Sequence, residues 1–256
     1  MPIRRVIDPS MPLDDRTTFS PGDPEPRVCA ATMIAADGWN VARLELGSHS
    51  GRHCDAPFHF LEERPRLDAL PLERFLGPGV VVDATGLAPR TPIGWDPVAP
   101  HAARLRPGAI VLLRTGWDDH RGTDADFDHP TLDGDACAAI LERGVRTIGI
   151  DAINLDETRR AELDRSTFRC HAQISAVGGV IVENLVGLGA IDFPDPARQR
   201  AAAARARRRR RPGACGRDRG AGLTPWPPLR PASARACAPG AATAASPWPS
   251  SPHAAA

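Results

Sequence analysis

Four short runs of branched apolar residues punctuate the first three quarters of the chain: GVVVDAT at 79–85, AIVLLRT at 109–115, RTIGID at 146–151 and GGVIVENL at 178–185. Each is bounded by Gly, Pro or polar residues and is too short for a buried helix, so each predicts an interior strand. NVARLEL at 40–46 has a different pattern. Ala42, Leu44 and Leu46 alternate with Arg43 and Glu45, which is the period of a half-buried strand. Helical spacing occurs in DGDACAAILERG at 133–144, with an acidic start, apolar Ala136, Ile140 and Leu141, and Gly144 as a stop. This predicts a helix that feeds the 146–151 strand. DETRRAELDRSTF at 156–168 predicts a second, more exposed helix. Strands outnumber helices and only some alternate with them, so the pattern predicts a mixed α/β domain rather than a regular doubly wound sheet.

Near residue 196 the pattern stops. Residues 1–196 are expected to form one packed domain. Residues 197–256 form an Arg/Ala/Pro-rich, low-complexity tail without hydrophobic periodicity, which is expected to be disordered because it cannot bury enough apolar surface to offset ordering entropy. Charge follows the same division. The tail holds 12 arginines and one acid, Asp218, for +11, whereas the body holds 20 basic and 30 acidic residues, for −10. Lysine and tyrosine are both absent, which fits a GC-rich gene, and the tail reads like such DNA translated out of frame. A frameshift at about residues 195–205 would leave the domain without its final strand and with an exposed sheet edge.

Composition narrows the function classes. No run of 18 uncharged apolar residues is present, and MPIRRVIDPSMPLDD carries arginines with no apolar segment after them. Neither a membrane span nor a secretory signal is expected, and the expected location is the cytoplasm. Cysteines 29, 54, 137, 170, 215 and 237 lack CxxC spacing, and no disulfide is expected. The basic run RARRRRR at 205–211 offers phosphate contacts. With an acidic body and no aromatic residues interleaved among the arginines, a nucleic-acid binder is the lesser reading.

The chemistry concentrates in LELGSHSGRHCDAPFHF at 44–60, which carries His49, His53, Asp55 and His59, three of the chain's eight histidines among them. All four positions are odd, so an extended segment would point them to one side. On a helix, residues 53 and 55 would lie about 200° apart, and Gly51 and Pro57 also oppose a helix. Imidazole and carboxylate donors suit zinc, manganese or iron. Cys54 falls on the opposite side. Further donors must come from elsewhere in the chain, and His171 and Glu183 in FRCHAQISAVGGVIVENL are the candidates, the first opening a short helix and the second closing a strand.

HSGRHCDAPFHF resembles the HxGTHxDxPxH signature of the cyclase-family metal-dependent hydrolases, which include bacterial kynurenine formamidases (arylformamidases), isatin hydrolases and polyketide-type cyclases. FSPGDPEP, LPLERFLGPGVVVDATG, LLRTGWDDH and TIGIDAINLD also resemble family segments, and His171 and Glu183 match a late His and Glu at the same twelve-residue separation. The likeness spans about residues 5–195. It implies a swivelling β/β/α fold, usually dimeric, and a centre of two divalent ions, zinc or manganese. His49, His53 and Asp55 would bind one ion, and Asp55 would bridge to a second completed by His171 and Glu183. His59 would serve as the acid/base. The implied reaction is hydrolysis of the C–N bond of a small-molecule amide, with lactam opening or cyclisation as alternatives and an inactive metal-binding protein as another.

Two features depart from the family pattern. The domain's usual final strand segment is not found before the tail. Arg52 stands where the family usually has Thr or Ala. Its even position turns it away from the donors, which leaves two readings: a salt bridge with nearby acids, or a reach to the pocket rim to bind a substrate carboxylate. Trp95 and Trp117 could line a pocket or belong to the core.

Overall fold

The computed structural model describes residues 5–14, 17–158, 168–192 and 197–200. In chain order the strands are β1 (Arg27–Thr32), β2 (Val41–Glu45), β3 (His53–Asp55), β4 (Leu76–Asp83), β5 (Pro92–Ile93), β6 (Ile110–Arg114), β7 (Thr131–Leu132), β8 (Thr147–Ile150), β9 (Val180–Glu183) and β10 (Ala197–Arg200). The helices are α1 (Ile34–Asp37), α2 (Gly134–Glu142) and α3 (Arg169–Ala176), with several short 3-10 turns between elements.

The chain divides into two units, one of Met1–Arg27 and Glu45–Arg217, the other of Val28–Leu44 and Asp218–Ala256. The first contains a six-stranded sheet in the order β10-β4-β6-β8-β9-β3. Its four inner strands are parallel, while β3 on β9 and β10 on β4 run antiparallel at the edges. All four apolar runs become strands of this sheet, and its interior position explains their near-continuous hydrophobicity. Alternate residues serve opposite faces. Val80, Val82, Val111, Leu113, Ile148, Ile150 and Ile181 pack with Ile140 of α2 and Ile174 of α3. Ile110, Leu112, Val180 and Val182 pack on the other side with Leu185 and Leu188. The mixed α/β sheet expected from the sequence is therefore the architecture found.

Helix α2 starts where its sequence predicts. Asp133 is the N-cap, its Oδ1 accepting from the amides of Asp135 at 2.9 Å and Ala136 at 3.1 Å. Gly144, at φ +86°, makes the turn after it. The helix expected at 156–168 falls largely outside the described residues, as do 201–256 with the basic run. β10 places four residues of the stretch beyond 196 on the β4 edge.

Within the second unit, residues 28–44 contain most of β1 and β2, which form a two-stranded sheet, and α1, closed by Gly38 at φ +81°. NVARLEL does supply a strand, but not a half-buried one: Val41 and Leu44 are more than two-fifths exposed. A two-stranded sheet has no second layer of its own to cover one face. Cys29 is disulfide-bonded, contrary to the expectation of free thiols, while Cys54, Cys137 and Cys170 are free. Among the described residues no helix is long and apolar enough to cross a membrane.

Candidate metal centre

The edge pairing of β3 on β9 builds the centre. Its register sets His53 opposite Glu183 and Asp55 opposite Ile181. Glu183 is the last residue of β9 and His171 the third of α3, as their sequence contexts predict. The one-sided extended segment expected across 49–59 is only partly found. His53 and Asp55 share a face of β3, but His49 comes from the turn before it and His59 ends a 3-10 turn begun by Pro57. Gly51, at φ +62°, and Pro57 break the extension. The donors converge through two bends rather than by strand alternation alone.

All six sequence-predicted residues are brought together. His49 Nδ1 lies 2.6 Å from Asp55 Oδ1, and His53 Nε2 lies 3.2 Å from the same oxygen and 3.4 Å from Glu183 Oε2. His171 Nε2 is 3.2 Å from Asp55 Oδ2 and 3.5 Å from Glu183 Oε1. The His59 ring stacks on that of His49 with centroids 3.8 Å apart. Two sets of donor atoms each gather within 4.8 Å: His49, Asp55 and His59 in one, His53, Asp55 and Glu183 in the other. Asp55 belongs to both. This grouping pairs His53 with Glu183 and places His59 beside His49, a different partition from the one the family resemblance implies.

Burial and charge act together here. Asp55 is 4% exposed, and burial would raise its pKa, but His53 and hydrogen bonds from His171 and His49 hold its carboxyl well below the usual range. Burial disfavours the charged ring of His53, yet Asp55 and then Glu183 raise its pKa to about 9. For His171 burial is likewise outweighed, by Asp156, Asp55 and Glu183, and the pKa rises to about 10. Glu183 is pushed up to about 7 by burial and by Asp55. His59 is held down to about 4, chiefly by burial.

This donor set fits divalent cations. Among the described residues, the ion-pair partners of Asp55 and Glu183 are histidines, so the buried negative charge is balanced by protons on imidazole. A cation among the same oxygens and ring nitrogens would supply that charge and displace those protons. Nitrogen and oxygen donors without thiolate suit zinc or manganese. Cys54 packs on the apolar side, as expected from its even position.

Three supporting residues escaped the sequence reading. Asp156 accepts from His171 Nδ1 at 2.7 Å. Asn184, at φ +56°, donates from Nδ2 to Gly51 O at 3.0 Å, and that carbonyl also accepts from His53 Nδ1 at 2.8 Å. Thr18 Oγ1 donates to Asn184 Oδ1 at 3.2 Å. None lies near its partner in sequence. Only the Asp ending TIGIDAINLD offered a cue, as a carboxylate a few residues past an interior strand.

The remaining expectations resolve locally. Arg52 is 2% exposed and donates from NH1 to Ser10 Oγ at 3.1 Å, and burial lowers its pKa against the opposing influence of Cys54 and Asp8. It faces the N-terminal segment, so the pocket-rim reading is corrected. Trp117 is buried core, donating from Nε1 to Ala125 O at 2.9 Å, and Trp95 packs against the core under Arg143. The aromatics beside the donors are instead Phe60 and Phe168, with ring centroids 4.8 Å and 5.6 Å from that of His171.

Comparison with known proteins identifies the family and the fold. The family model "Cyclase: Putative cyclase" matches residues 7–157, more than half of the chain. The chain belongs to the cyclase family. Kynurenine formamidase of Bacillus cereus is 30% identical over 183 residues, covering 70% of this cyclase-family chain and 81% of the relative. Among solved structures, an isatin hydrolase bound to the product analogue thioisatinate superposes with a TM-score of 0.64 at 22% identity, over 75% of this chain and 82% of that one. A protein described as a potential metal-dependent hydrolase with cyclase activity follows with a TM-score of 0.57 at 24% identity, over 75% and 85%. At these identities the two structures establish the cyclase fold.

Proposed function

We propose that this chain is a metal-dependent hydrolase that cleaves the C–N bond of an aromatic formamide. The observation that carries the reading is the pair of donor groups sharing buried Asp55. The 30% identity to a kynurenine formamidase supports the substrate class.

His49, His53, Asp55, His171 and Glu183 would hold two divalent ions, zinc or manganese. When bound there, the ions acidify a water towards neutral pH and polarise the substrate carbonyl. The chain's own residues supply the rest. Asp55, reached from both donor groups, sets their spacing. His59, neutral at pH 7, accepts a proton from the attacking water and returns it to the leaving nitrogen. The carbonyl carbon gains an oxygen, the C–N bond breaks, and the products are formate and an aryl amine. Phe60 and Phe168, 5.5 Å apart, provide an apolar edge against which an aryl group can pack. The active form is read as a homodimer, by resemblance to the family.

The test is metal analysis of the purified protein with turnover of N-formylkynurenine and isatin, before and after chelation. The expected outcome is bound zinc or manganese, formamide hydrolysis lost on chelation, and recovery when the ion is returned. Undiminished turnover by metal-free protein would refute the metal reading. Isatin opening without formamide hydrolysis would replace the substrate class.

A further inference from the structure

His171 and Glu183 lie on separate elements, yet one short turn after β8 holds both. The amide of Leu155 donates to Glu183 Oε1 at 2.8 Å. Asp156, 4% exposed, receives three donors on its two oxygens: the amide of Cys170 on Oδ1 at 3.0 Å, and the amide and Nδ1 of His171 on Oδ2 at 2.9 Å and 2.7 Å. Asp156 is in turn held through its own amide by Asn154 Oδ1 at 2.8 Å. Phe168, the residue before α3, makes no side-chain cap, so Asp156 satisfies the free amides of the helix's first turn from a distant part of the chain.

The ring geometry has a chemical consequence. A carboxylate only accepts, so the nitrogen facing it carries the proton. In the metal-free chain Nε2 also faces a carboxylate, Asp55 Oδ2 at 3.2 Å, so a cation held there would displace the Nε2 proton and leave the Nδ1 proton with Asp156. We propose that Asp156 is a positioning residue, fixing the His171 proton on Nδ1 and aiming Nε2 at Asp55 and Glu183 from the turn that also holds Glu183. Cap and ring anchor are one carboxylate, so the docking of α3 and the aim of its histidine are set together. This rests on the metal-centre reading above.

The test uses the full chain, the Asp156→Asn variant, and zinc or cobalt titrated against a competing chelator. An amide oxygen can still cap α3 but supplies no carboxylate to Nδ1. Asp156→Asn is expected to bind one equivalent of metal about 10–100-fold more weakly, with altered cobalt absorption bands and hydrogen exchange in α3 close to that of the parent. Unchanged affinity and bands, with faster exchange at Cys170 and His171 only, would overturn the proposal and leave Asp156 a helix cap. A parent chain that binds neither ion overturns the metal-centre reading and the proposal with it, an outcome seen before any variant is made. Should Asp156→Asn fail to fold, NMR of the cadmium-loaded parent decides: coupling from cadmium to His171 Nε2 with a slowly exchanging Nδ1 proton supports the assignment, and cadmium on Nδ1 overturns it.

Discussion

Single residues here set the geometry of the donors. Gly51 shows why a glycine sits between two histidines: its φ of +62° favours glycine, and a Cβ would meet Thr17 Cγ2 at 2.9 Å. Its carbonyl then accepts from His53 Nδ1, so one backbone conformation both bends the chain and orients a donor. His59 has a more divided position, with its ring stacked on His49 but the residue exposed at the end of a turn. His59→Ala is expected to retain bound metal by elemental analysis while kcat falls about 10²–10⁴-fold. Loss of metal in parallel with turnover would make His59 a ligand instead. His49, His53, Asp55 and His59 were legible because four donors crowd one segment, a density that incidental surface residues do not produce. Asp156 and Asn184 were not, because an isolated Asp or Asn reveals nothing until its partner from another strand or helix arrives. Arg52 shows that limit too: alternation gave its direction, but not that Ser10 would receive it.

Elements were readable in proportion to how local their signals are. α2 carries its start, face and stop within twelve residues, and the structure reproduces all three. Its cap is therefore a fair test of local reasoning. Asp133→Ala removes the acceptor for two amides and is expected to lower stability by about 1 kcal/mol, or a few degrees in Tm, with metal content unchanged. An unshifted Tm would show that α2 is held by packing alone. The inner strands announced themselves through uninterrupted branched residues, since a parallel strand covered on both faces has no polar side to display. β2 was misread for the complementary reason. Its alternation fits a half-buried strand, but whether a face is buried depends on a second layer that alternation does not encode. β3 is three residues long and carries His, Cys and Asp, so only its ladder with β9 defines it as a strand.

Over the whole molecule, the order β10-β4-β6-β8-β9-β3 could not be read from the chain, because long-range pairing leaves no local mark. The family likeness implied the fold, but neither it nor periodicity gave the order of the strands. Burial on this scale also ties stability to pH away from the donors. His129 is fully enclosed, its Nε2 2.9 Å from Thr158 Oγ1, and burial lowers its pKa to about 4. Between pH 6.5 and 4 the unfolded chain takes up a proton that the folded chain refuses, so stability is full above pH 6.5 and declines as pH falls. The decline approaches about 1.4 kcal/mol per pH unit. Urea unfolding of metal-free protein should show a shallower acid decline in His129→Gln than in the parent. Parallel curves would mean that His129 does not carry this sensitivity.

The antiparallel seat of β3 at the sheet's edge has a consequence for how the protein matures. Asp55 and His171 are 116 residues apart in sequence, so their meeting is a late, high-contact-order event that waits on much of the parallel sheet. A cation that needs both can be captured only after that closure. By mass action it then favours the closed chain over every earlier state. Ion uptake would thus be the final step of folding as well as the first requirement of turnover.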